Sequence, residues 1–260
     1  MRTVPARWLA LRAVAVLVGL FLIVPTLMVV PMSFNGSSTL GVLNGDWTTR
    51  WYSDLFGDPR WRAAAANSLK IALGTTALSL LLGTLAAWGL SKGTRFGELI
   101  RGASLAPVVI PPVILGVGMY TVLLRWELTG SLTGLVLAHT VLALPFVIVS
   151  VSASFAQLDP VYERAAMSLG ANGFQRFVRV VVPLVAPGVV AGGLFAFVTS
   201  WDEIVVAIFL TDASTRTLPV EMWIQMRTQV TPTLAALGTA LFALSTVALL
   251  AMQLLRRDES

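Results

Sequence analysis

The sequence contains no cysteine, which excludes a disulfide framework, a thiol nucleophile and a cysteine-ligated metal. Histidine occurs once, at His139, and lysine twice, at Lys70 and Lys92. With no second ligand candidate nearby, His139 reads as a packed or interface residue rather than a metal or proton site. Charged residues make up 12% of the chain, where an average soluble domain carries about 25%. No G-x-x-x-x-G-K-[ST] segment occurs, so the chain has no phosphate cradle of its own and is not expected to hydrolyse ATP alone. An intramembrane enzyme would need a paired acid and base, a metal cluster or a Ser/His arrangement, and the apolar runs supply little of these.

What the chain has instead is hydrocarbon. Of its 260 residues 56% are hydrophobic, and mean hydropathy is +0.81. Long runs almost free of charge set the class as an all-α, polytopic membrane protein, because only helices and closed barrels satisfy the backbone in a bilayer. The net charge of +5 invites a nucleic-acid reading. The basic residues sit beside apolar runs, however, where anionic lipid and topology account for them.

Six spans are expected, at about 11–32, 63–90, 102–124, 132–155, 188–210 and 232–255. Arg2, Arg7 and Arg12 precede the first. Its apolar core of about twenty residues exceeds a signal-peptide h-region, and no small-x-small site follows, so it reads as retained. The 33–62 loop holds Trp47, Trp51, Tyr52 and Trp61, which suit an outer interface belt; it is either a partner's seat or a connector. Ser91–Arg101 reads as a short basic inner loop. Pro107, Pro111 and Pro112 predict a broken third span. Eleven of the 18 basic residues then fall on the side of both termini, which makes that side cytoplasmic.

The longest inner loop, 156–187, is a polar interruption. Asp159 can cap a first short helix, Pro160 suits its first position, and Gly170 supplies its stop. Tyr162, Ala166 and Leu169 fall on one face, and Glu163 and Arg164 on another. Asn172 can cap a second helix, with Phe174, Val178 and Val181 on one side and Gln175, Arg176 and Arg179 opposite. On pattern alone this is either a docking platform for a soluble partner or a plain amphipathic loop.

The segment RAAMSLGANGFQRFVRVVVPLVAPG resembles the "EAA" signature of ATP-binding-cassette (ABC) importer permeases, roughly E-A-A-x-x-L-G-A, a spacer, then L-P-x-x-x-P-G. The matches are Ala165, Ala166, Leu169, Gly170, Ala171, Phe177, Val180, Pro183, Pro187 and Gly188. The resemblance implies a type I, MetI-like permease forming one transmembrane domain over 1–260, with six helices and cytoplasmic termini. It implies that Glu163, Arg164, Ala165, Ala166, Leu169, Gly170 and Pro183 couple to an ATPase. It also implies a second permease subunit forming a heterodimer, two ATPase subunits that carry the ATP and magnesium, an external substrate-binding protein, and a place in the bacterial inner or plasma membrane. The chain itself needs no cofactor. The glutamate that opens the family motif aligns with Arg164, while Glu163 stands one place early. The docking surface is therefore expected to offer its carboxylate on a rotated face.

Asp202 and Glu203 lie inside the fifth expected span, roughly 21 Å from Gly188 at about 1.5 Å per residue. A carboxylate at that depth costs on the order of 3 kcal/mol on insertion scales, so it should face a cavity, a cation or a partner. Either one of them lines a permeation path for a cationic substrate, with Trp201 offering an aromatic face, or they pair with a basic residue such as Lys70. WDEIVVAIFL followed by TRTLPVEMW resembles the polyamine (spermidine/putrescine) branch of these permeases, which places Trp201, Asp202 and Glu203 on the substrate path. Related branches carry ferric iron, phosphonates, opines and other cargo. A stand-alone ion-coupled transporter is the rival class; no internal inverted repeat supports it.

Overall fold

The computed structural model describes residues 6–39, 45–93, 95, 97–228 and 230–257. The residues expected to form the cytoplasmic ends, 1–5 and 258–260, lie outside these. Among the described residues the chain is helical, and its only β pairing is an isolated bridge between Asn35 and Trp47. Two compact units divide it, one of residues 1–61 with 222–260 and one of residues 62–221.

In the first unit, α1 (Ala6–Ser33) and α13 (Pro232–Arg257) pack together, and the short α2 (Arg50–Gly57) lies against α13. α1 carries an apolar stretch from Leu11 to Ser33 that is largely exposed. The described residues of the 33–62 segment are tied together by hydrogen bonds. Trp51 is buried and its Nε1–H donates to the Asn35 carbonyl at 2.6 Å, while Tyr52 shares a 2.7 Å hydrogen bond with Ser33. Of the expected aromatic belt only Trp47 is well exposed; Trp51 and Trp61 are buried. An indole buried with its N–H satisfied is a core group, and sequence spacing does not distinguish it from an interfacial one.

The second unit is built on α3 (Pro59–Ser91), α6 (Leu132–Phe155) and α10 (Ala186–Trp201), with α4 (Gly97–Val109), α5 (Pro112–Arg125) and α11 (Val205–Leu210) packed around them. α1, α3 and α6 each contain a stretch long and apolar enough to cross a bilayer, and two bent pairs raise the number of candidate spans to five. The first pair, α4 with α5, turns by 106°. Its break falls at Ile110 and Pro111, as the prolines predict, because Pro111 cannot donate and restricts the residue before it. Pro107 lies inside α4, which begins at Gly97 and so absorbs part of the loop expected at Ser91–Arg101. The second pair joins Gly173–Leu184 to α10 at 78°.

Helix contact in this unit rests on small residues. A Cβ on Gly188 would meet Ser154 Oγ at 2.3 Å and the Ser150 carbonyl at 2.7 Å, and one on Gly192 would meet Val147 at 3.1 Å. These glycines let α10 lie against α6 at backbone distance, the usual arrangement where lipid removes any hydrophobic drive for association. Ala87, Ala143, Val147, Val151, Phe155, Val181, Val185 and Ala196 form the buried core behind them. Gly188→Ala should therefore lower stability by about 1–3 kcal/mol, read as thermal unfolding of the detergent-purified protein. Gly118→Ala, with nothing within 4 Å of its added carbon, should leave the midpoint unchanged or raise it.

A sealed carboxylate in the inner loop and an acidic break in the fifth span

The loop 156–187 has the caps expected of it, except that Pro160 stands just before the first helical residue, Val161, rather than at it. Val161 N–H donates to Asp159 Oδ1 at 2.8 Å, opening α7 (Val161–Ser168). Its end is a Schellman turn. Gly170 has φ +82°, its N–H donates to the Met167 carbonyl at 2.9 Å, and Ala171 N–H reaches the Ala166 carbonyl at 3.0 Å. Asn172 then forms a capping box with Gln175 and opens α8 (Gly173–Arg176). A five-residue π-helical segment, Phe177–Val181, follows, and then α9 (Val182–Leu184), where Pro183 is exposed.

The faces differ from the sequence expectation. Glu163, expected beside Arg164 on an outward face, is turned inward and is 7% exposed. Lys92, just past the end of α3, donates to Glu163 Oε2, and Arg176 Nε lies 3.2 Å from the same oxygen. Lys92 also lies over the Trp88 ring, 5.7 Å from its centre, and Trp88 packs on Phe177 with ring centres 4.6 Å apart. Ala166 is buried beside Glu163, but Tyr162 and Leu169, expected on the same face, are exposed, Leu169 at 89%. The Schellman turn explains Leu169. It sits at the cap, beyond the last helical residue, so helical periodicity no longer assigns its face. Likewise the apolar face expected of Phe174, Val178 and Val181 is divided: only Val181 is buried, and Arg176 has swung inward to the carboxylate. Arg164, Ala165 and Gly170 remain exposed.

At the other end of α10 the helix stops at Trp201 and resumes as α11 at Val205. The fifth expected span is thus not a continuous helix over 188–210, and Asp202 and Glu203 stand in the break rather than inside a helix. Glu203 Oε1 accepts from Val206 N–H at 2.7 Å, satisfying a backbone donor that the break leaves without a helical partner. Its negative charge also suits the start of a helix. Asp202 is exposed, and Trp201 stacks on Phe197 with ring centres 5.8 Å apart. Neither acid forms a salt bridge with Lys70 or with any other described residue.

Sequence reasoning missed two supports of these sites. Lys92 and Arg176, assigned only to topology and to a helix face, hold Glu163; the signal available was a single lysine on the side expected to be cytoplasmic. Buried His139 on α6 joins Ser200 Oγ through Nδ1 at 2.9 Å, which fixes the last turn of α10 one residue before Trp201. A lone histidine opposite a serine on another helix carries no sequence pattern.

Comparison with solved structures gives the fold. A bacterial ABC transporter involved in the import of the acidic polysaccharide alginate matches with a TM-score of 0.77 over 97% of this chain and 99% of that one, at 17% identity. An amino acid ABC transporter matches at 0.56 over 81% of this chain and 98% of the other, at 16% identity. Residues 79–259 match the family described as binding-protein-dependent transport system inner membrane component, and the chain belongs to that family. It is an integral membrane permease subunit of an ABC importer. Among curated relatives, the putrescine transport system permease protein PotI of Escherichia coli (strain K12) is 34% identical over 95% of this chain and 92% of its own length. The spermidine/putrescine permease PotC of the same strain is 30% identical over 92% and 91%. The sulfoquinovosyl glycerol permease SmoH of Agrobacterium fabrum is 33% identical over 83% and 77%.

Two outcomes follow from the geometry. Glu163→Ala should cost about 3 kcal/mol, because it strands the mostly buried Arg176 charge. Lys92→Ala, which removes the half-exposed partner and leaves Arg176 in place, should cost about 1 kcal/mol or less. Equal losses in thermal unfolding would show that Arg176 does not hold the carboxylate. At the break, Glu203→Ala should lose about 1 kcal/mol of stability, as for other helix-start acceptors, while Glu203→Gln keeps an acceptor oxygen and most of the stability.

Proposed function

We propose that this chain is the permease subunit of an ATP-driven importer of polyamines. The observation that carries the reading is similarity, at 30–34% identity over nearly the whole chain, to permeases named for putrescine and spermidine. The acidic break supports it. Asp202 is an exposed carboxylate at a point where the transmembrane helix is interrupted, and irregular backbone is tolerated at membrane depth only where protein or a water-filled cavity satisfies it. Uncompensated carboxylate charge there favours a polycation. In this reading Asp202 attracts the cargo, Trp201 contributes ring surface beside it, and Glu203 keeps the broken helix in shape.

The remaining parts follow from the family. Six spans with both termini in the cytoplasm would form half of the translocation path in the bacterial inner or plasma membrane. A second permease subunit would supply the other half, and an external binding protein would deliver the cargo. The loop 156–187 would dock two-fold with ATPase subunits, which bind the ATP and magnesium. Closure of the ATPase pair would pull on α7 and switch the cavity between inward and outward access.

A second cargo reading has its own support, because SmoH is 33% identical and is named for a sulfonated sugar glycerol, which is an anion. The two readings predict opposite charge preferences. Reconstituted vesicles holding the complete complex should take up labelled putrescine or spermidine saturably and only with ATP. Asp202→Asn should cut that uptake about tenfold or more at unchanged membrane yield, as expected for loss of one charged contact worth a kcal/mol or two. ATP-dependent uptake of an anionic or neutral solute, unaffected by Asp202→Asn, would remove the polyamine reading and keep the importer.

A further inference from the structure

The inner loop contains two acidic residues, Asp159 and Glu163, and three basic ones, Arg164, Arg176 and Arg179. The structure divides them unevenly. Glu163 is sealed between Lys92 and Arg176, and Asp159 closes the start of α7 through Val161 N–H. Arg164 and Arg179 are exposed and form no salt bridge with any described residue. The same loop presents apolar side chains to solvent: Tyr162, Met167, Leu169 and Phe174, the last 75% exposed. Solvent-facing hydrocarbon of this extent on a loop marks an interaction surface. The charge that accompanies it is cationic.

We propose, building on the ATPase-docking reading above, that the cleft receiving α7 is lined by apolar walls for Leu169 and Phe174 and carries a carboxylate facing Arg164. Glu163 makes no contact with the ATPase; it is a positioning residue that ties α7 and α8 to the end of α3. The family pattern places a glutamate where Arg164 stands, so this importer's permease–ATPase pair has the opposite polarity at that position, and the pair recognises itself by it. Like charges brought together across such a contact cost several kcal/mol, which is enough to exclude an ATPase whose cleft is basic there.

Zero-length chemistry tests this directly. Arg164→Lys keeps the charge and introduces an amine that a carbodiimide can join only to a carboxylate in contact with it. In the purified complex with its ATPase, we expect an amide cross-link at position 164, mapped by peptide sequencing to an Asp or Glu of the ATPase. Arg164→Glu should lower ATPase co-purification about tenfold or more, and reversing the mapped carboxylate to Lys should restore it. Because the chain has no native cysteine, Leu169→Cys serves as an independent report of docking. If Leu169→Cys cross-links to the ATPase while the Arg164→Lys variant gives no amide and Arg164→Glu binds undiminished, docking stands and the acidic cleft is wrong. A carbodiimide link from Glu163 to an ATPase lysine overturns it equally. If Leu169→Cys does not cross-link, and is instead shielded by lipid in vesicles of the bare permease, the docking reading itself fails and the proposal falls with it.

Discussion

α10 is held to α6 by the absence of side chains. At Gly188 the two helices approach so closely that a single methyl group has no room, and at Gly192 one would fit only if Val147 gave way; the rest of the second unit is arranged from that contact. One end of α10 continues from the loop 156–187 through a 78° bend. The other ends at Trp201, where Ser200 is tied back to α6 by His139 and the acidic break begins. A 16-residue helix, roughly 24 Å long at about 1.5 Å per residue, thus connects the two places where this chain exposes unusual chemistry. Because packed helices shift as units rather than bending continuously, a displacement imposed on the loop has a short mechanical route to the break.

The two ends use charge differently. At the loop, two basic groups from separate segments converge on one carboxylate. That arrangement gives little stability of itself, since burying ions costs about as much as pairing returns. What it supplies is register: α3, α7 and α8 can satisfy Glu163 together in one relative placement only. At the break, one acid is tied to the backbone and its neighbour is left open. Glu203 replaces a helical hydrogen bond that the interruption removed, so Asp202 alone keeps an uncommitted charge.

Much of this was legible in the sequence, for identifiable reasons. The fourth expected span, 132–155, coincides with α6 because a long run without Asp, Glu, Lys or Arg, opened by the Ser131 cap, leaves no ambiguity. The loop's caps were legible because Asp159, Gly170 and Asn172 act through their own local backbone. Side-chain direction was not. Helical periodicity placed Glu163 with Arg164, but an ion pair with residues 71 positions earlier and 13 later decided where the carboxylate points. The break at 202–204 was hidden for a related reason. No proline or glycine marks it, and the hydropathy of WDEIVVAIFL reads as one span with an acidic blemish. Only the fold shows that the blemish is the interruption.

Family membership does not by itself choose a cargo. Relatives named for a polycation and for a sulfonated sugar glycerol are similar to this chain to nearly the same degree, 34% and 33%. A scaffold shared by opposite charges must take its selectivity from a few positions that can change without disturbing the packing. The glycine contacts of α10 are not such positions, since their neighbours are fixed at van der Waals distance. Glu203 is not one either, because the start of α11 depends on its oxygen. Asp202 meets the requirement. It follows the last helical residue and is exposed, and no hydrogen bond or salt bridge ties its side chain to another described residue. Its charge can therefore change without altering the fold.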